Sequence, residues 1–212
     1  MKLRLTALLA LCLTTQVTLA KDAVTAPAGL GWGLSEKDLA SMNVSLSNCK
    51  DLGIANVKYC TASNVPKPLS FAESYTLYFI GGKLLKTRII GKTISGDIYG
   101  TEGKASFDRL LNALKKKYTV KDFSHKQYIY IGQKLYDEVD EFYQCLAYDG
   151  CGKHALYMLP EEGKNGKGAV VLELNGLSRG KGYLDVIHEA PLWGEELGKA
   201  KEAQNEVDLD GL

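Results

Sequence analysis

The sequence predicts an α+β fold: an antiparallel sheet with helices packed on one face, held by two local disulfides. Three observations lead there. Short segments alternate apolar and polar residues and are separated by glycine pairs and polar turns. Two longer segments carry apolar residues at helical spacing, set apart from most of the strands. Four cysteines fall into two close pairs, in a chain that opens like an exported protein.

Residues 1–20 read as a signal peptide. Lys2 and Arg4 precede an apolar run over residues 5–13, and Thr18-Leu19-Ala20 offers small residues for cleavage after Ala20. The run is too short to span a bilayer, which takes about 20 residues. Lipid anchoring at Cys12 is not expected, because Leu11 stands where a lipoprotein signal has a small residue. The mature chain has no other long apolar run, hence no transmembrane segment is expected.

Residues 21–34 form a Gly-rich extended lead-in, with Trp32 as an anchor on the body. Ser35 caps a short helix to about residue 43, with Asp38 completing a partial capping box. A strand is expected over 54–61 and a loop over 64–68. Residues 74–80 and 84–90 form a hairpin around Gly81-Gly82. An odd loop places Tyr75, Leu77 and Phe79 on one face with Leu85, Thr87 and Ile89, and leaves Thr76, Tyr78, Lys86 and Arg88 on a wet face.

A Gly-rich loop leads to a helix over 104–117, whose inner stripe is Phe107, Leu110, Leu111, Leu114 and Tyr118. A second helix is expected over 132–146, then strands over 153–159, 169–175 and 182–189. Residues 195–212 are a charged tail, expected as a frayed helix or disordered. Residues 21–194 thus make one α+β domain, with 31–118 and 119–194 as candidate halves of a loose tandem. The 45% hydrophobic and 24% charged composition is that of a globular protein with surface enough to bury a core.

Removing Lys2 and Arg4 with the signal lowers Lys+Arg from 26 to 24 against 25 acids, a net charge of −1. That balance argues against nucleic acid as a partner. The one basic run, Lys115-Lys116-Lys117, ends a helix, where cations suit the dipole. The acidic run around Asp137, Glu138, Asp140 and Glu141 reads as a solvated helix face. Cys49 with Cys60 and Cys145 with Cys151 are the expected disulfides, each closing a short turn-like loop. Neither pair has the spacing of a zinc site.

No catalytic, cofactor-binding or metal constellation is expected. Gly176-Leu-Ser-Arg-Gly180 has the spacing of a nucleophile elbow but precedes Gly-Lys-Gly, not a helix. His125, His154 and His188 are far apart; His154 with His188 would need Glu189 or Asp185 to hold a metal. His188 continues the alternation of Leu184 and Val186, which points to burial. Glu206, Asp208 and Asp210 echo a calcium loop whose twelfth-position ligand is missing. Asn43-Val44-Ser45 is a glycosylation acceptor only in a eukaryotic secretory route. Tyrosines crowd the second half, and Tyr128, Tyr130, Tyr136, Tyr143, Tyr148 and Tyr157 are the candidate interaction surface.

Residues 31–42, Gly-Trp-Gly-Leu-Ser-Glu-Lys-Asp-Leu-Ala-Ser-Met, precede a hairpin with a Gly-Gly-Lys-Leu turn. This pattern, over some sixty residues, resembles helix-plus-hairpin modules of bacterial envelope proteins. It is similar to the outer-membrane assembly lipoprotein family BamE (SmpA/OmlA) and to the β-lactamase inhibitory proteins, though the lipoprotein signal of the former is lacking. The resemblance implies a non-enzymatic protein that binds another protein of the cell envelope. The expectation is a periplasmic or secreted accessory factor, inhibitor or immunity-type protein. Two alternatives stay open: a hydrolase of envelope polymers using His188 with Glu189 or Asp185 near Tyr183, and a binder of a small apolar ligand between helix and sheet.

Overall fold

A computed structural model describes residues 23–118, 123–129, 138–148, 154–160 and 166–210, with side chains left out of account at 125–129 and 210. Nine strands in this set form a single sheet in which every pairing is antiparallel. The chain runs α1 (Glu36–Ser41), β1 (Ser45–Asp51), β2 (Val57–Ser63), β3 (Ala72–Ile80), β4 (Lys83–Gly91), β5 (Ile94–Ser95) and α2 (Thr101–Lys117). It continues through β6 (Phe123–Ile129), a 3-10 turn (Val139–Glu141), α3 (Phe142–Ala147), β7 (His154–Pro160), β8 (Ala169–Ser178), β9 (Lys181–Glu189) and α4 (Trp193–Asp210). The order across the sheet is β1-β2-β3-β4-β9-β8-β7-β6, with the short β5 also on β9. Two four-strand meanders therefore meet where β4 pairs β9. Because that seam joins them, one main core holds Leu77 and Ile89 together with Leu172 and Val186. The two meanders share one sheet and one main core.

The cap of α1 is as its sequence demands. Ser35 accepts from the Asp38 amide while the Asp38 carboxylate accepts from the Ser35 amide, a complete capping box. The first hairpin keeps the expected faces over most of its length, by a different route. Ile80 pairs Lys83 across Gly81 and Gly82, both at positive φ, so the loop has two residues. A bulge then shifts the ladder, and Tyr78 pairs Lys86, Leu77 pairs Thr87 and Tyr75 pairs Ile89. Leu84, not Leu85, consequently joins Phe79 in the main core, and Leu85 turns to the opposite face.

That opposite face is not left wet, and helices cover both sides of the sheet. Residues 195–210 continue α4, and its Trp193 and Ala200 bury against Val57, Ile80, Leu85 and Ala190. Lys86 lies over the Trp193 ring at 5.0 Å and pairs with Glu189 at 2.8 Å. Arg88 holds buried Asp185 at 2.7 Å on the same side. Helices α1, α2 and α3 cover the main-core face with Leu39, Phe107, Leu111 and Tyr143.

Of the two expected disulfides, Cys49–Cys60 is formed and ties β1 to β2. Cys145 sits in α3, while Cys151 lies outside the described residues, so that pairing stays an expectation. The signal segment, residues 1–20, also lies outside them. No described helix is long and apolar enough to cross a membrane.

Candidate functional site

The candidate interaction tyrosines do not form one surface. Tyr143 is fully buried, and its hydroxyl donates to Asp97 Oδ2 at 2.8 Å. It is a core residue: its side chain fills the space beside Gly103 and Gly182, while its main chain lies against Gly176 of β8. Burial, then the Asp97 carboxylate, raise its pKa. Burial pushes Asp97 up, but hydrogen bonds from the Gly103 amide and the Tyr143 hydroxyl more than offset that and leave it below the usual carboxylate range. Asp97 thereby caps α2, whose own N-cap, Gly100, has no side chain to do so. Tyr157 is half-buried and donates to Glu173 at 2.9 Å. Tyr148 is 64% exposed at the end of α3. Tyr128 lies in β6 with its side chain undescribed, and Tyr130 and Tyr136 fall outside the described residues.

Nor does the structure assemble the proposed hydrolytic group. Strand alternation sends His188 to the main-core face, while Tyr183, Asp185 and Glu189 point to the other. His188 pairs Val170, which pairs Met158, four positions along β7 from His154. His154 instead packs on Phe107, ring to ring at 4.4 Å, and its pKa is lowered by burial. Ser178 ends β8 in a hairpin to β9, which rules out the strand–turn–helix of a nucleophile elbow. Among the described residues no group of His, Cys, Asp and Glu side chains could hold a metal.

What the fold does build is a cavity of about 460 Å³ between α2 and the sheet. Its floor is Ile89, Val186 and His188, and one wall is Leu110, Ala113 and Leu114 of α2. Leu110 and Leu114 continue the stripe of Phe107 and Leu111, yet they stay half-buried because the space beneath them is not filled. The lead-in forms the opposite wall at Pro27-Ala28-Gly29, where Ala28 and Gly29 both have positive φ and the Leu30 amide donates back to the Pro27 carbonyl. Three contacts fasten it: Val24 N–H to the Lys167 carbonyl at 2.7 Å, Lys67 N–H to the Ala28 carbonyl at 2.9 Å, and Lys117 Nζ to Thr25 Oγ1 at 2.9 Å.

Among the described residues lining this cavity the charged ones are Lys67 and Lys117, and none is acidic. His188 is 6% exposed, and its Nδ1 meets no hydrogen-bond partner. Opposite it on β4, the buried Thr87 Oγ1 also has none. Burial, aided by Lys117, pushes the His188 imidazole down to about 3, so it is neutral across ordinary pH. The sequence signalled His188 through strand alternation. Lys117 read only as the solvated end of a helix, and Lys67 drew no attention.

A second feature lies at the β8–β9 turn. Ile98, Tyr99, Val139, Tyr148 and Leu177 are exposed on this turn and on segments next to it in sequence to residues that contact it, through the Arg179–Asp140 ion pair and the Asp97 amide bond to the Gly180 carbonyl. No protein-family model matches the chain, and no curated protein or solved structure matches it.

Proposed function

We propose that this is an exported, non-enzymatic binding protein whose ligand is a small apolar molecule held between α2 and the sheet. The observation that carries it is the 460 Å³ cavity walled by Phe71, Leu110, Leu114 and Val186, in the size range of ligand sites. The Cys49–Cys60 disulfide and the signal-like pattern of residues 1–20 support an oxidising compartment, periplasmic or secreted. The test is titration with the neutral fluorescent probe N-phenyl-1-naphthylamine. The wild type should bind it saturably at one site, and Leu114→Trp, which fills the cavity, should weaken binding at least ~10-fold, a loss of about 1.4 kcal/mol, without loss of cooperative melting. Unsaturable binding, or full binding by the folded variant, overturns the reading.

A second reading, a partner protein of the cell envelope, is favoured by the exposed apolar end at Ile98, Tyr99, Val139, Tyr148 and Leu177. The envelope-module resemblance of residues 31–42 supports the same class. The two readings separate at Leu114→Trp, which blocks the cavity and leaves that end untouched.

A further inference from the structure

We propose that the cavity's ligand is a single-chain amphiphile with an anionic head, the head lying at Lys117 and His188 and the chain running toward Leu110 and Phe71; this rests on the cavity reading above. The lining is graded along its length. Helix α2 contributes Lys117, Leu114 and Leu110 in that order, and β9 runs beside it with His188 and then Val186. The far end is Phe71 and Leu110, which also wall a neighbouring cleft of about 710 Å³ floored by Leu184. One end is therefore basic and hydrogen-bonding, and the rest is apolar.

The chemistry at the polar end selects charge. Lys117 spends one donor on Thr25 Oγ1 and keeps others, and among the described residues no lining carboxylate neutralises it or Lys67. A cationic head would meet the like charge of Lys117 there. The His188 Nδ1 is a buried polar atom with no partner, a cost that natural proteins rarely leave standing. His188 also lines the cavity floor, and its neutral imidazole offers one N–H, so an anionic oxygen that reaches the ring accepts from it without a charged histidine being buried. Lys67 also lines the cavity, its stem against Gly29 of the lead-in wall.

The experiment is displacement of N-phenyl-1-naphthylamine by dodecanoate, dodecanol and dodecyltrimethylammonium, each below its micelle concentration. Dodecanoate should bind at least about 10-fold tighter than dodecanol, the scale of one charge-assisted hydrogen bond, and the cation weakest. Lys117→Met should bring dodecanoate to the level of dodecanol while dodecanol is unchanged, and Lys117→Arg should keep the preference. If the alcohol matches the acid, or Lys117→Met keeps the preference, the inference falls and the apolar cavity stands. If neither probe nor amphiphile binds, the cavity reading falls with it.

Discussion

His188 stays neutral at a pH where an unfolded chain would carry it charged. Burial, then Lys117, set its folded pKa near 3, against the ordinary imidazole value near 6.5. Above about pH 6.5 neither state is protonated, and this residue makes stability independent of pH. Below that, the unfolded chain takes up a proton that the folded one refuses until about pH 3, so stability falls as pH drops through this window. The slope from this one group is ~1.4 kcal/mol per pH unit. Urea titrations of wild type and His188→Gln between pH 7 and 4 should therefore diverge by up to that slope. Parallel curves would show that His188 protonates in place. His154, also lowered by burial, supplies a residual slope common to both proteins. At this scale the sequence carried real information: the Leu184, Val186, His188 alternation predicted burial. It carried none about Lys117, because a lysine at a helix end looks the same whether water or a cavity lies beyond it.

At Gly176, helix α3 meets β8 without any side chain between them. A Cβ on Gly176 would lie 1.8 Å from the Tyr143 carbonyl oxygen and 2.8 Å from the Ala147 amide nitrogen, both main-chain atoms that no rotamer change can remove. A Cβ on Gly182 would strike the Tyr143 ring. Gly176→Ala should thus cost about 3 kcal/mol or more, at the upper end of overpacking, because a helix must move. Chemical denaturation measures it, and Gly194→Ala, where a Cβ meets open space, is the control that should change little. A loss under about 0.5 kcal/mol at Gly176 would mean α3 is free to lift. The helical and core-strand stripes were readable because their residues face one side only. Strand β1 was not: all its side chains except Leu46 are exposed, so it shows no alternation, and Cys49 within it read as part of a turn. Helix α4 was read as a charged tail because few of its residues touch the sheet, and Trp193 precedes the charged stretch.

Across the whole molecule, one sheet carries two meanders, a main core on one face and a smaller one under α4 on the other. The Cys49–Cys60 disulfide lies within the first meander and joins residues 11 apart. Closing so short a loop stabilises by ~3 kcal/mol in the chain-entropy model. A Cys49→Ala/Cys60→Ala double variant should lose about that amount in urea and, in a single cooperative transition, unfold both meanders together, since the β4–β9 seam couples them. Two separated transitions would show the halves to be independent after all. No single-sequence pattern announced the seam, because pairing between strands nearly a hundred residues apart leaves no local mark.

Strand β1 closes one side of the sheet, and its ladder with β2 breaks between Ser47 and Lys50, where Asn48 takes a positive φ. An incoming strand from another copy would find the row of amides and carbonyls out of phase halfway along, with Lys50 and Asp51 projecting beside it. This irregular border is thus a built-in guard against edge-to-edge polymerisation into fibres.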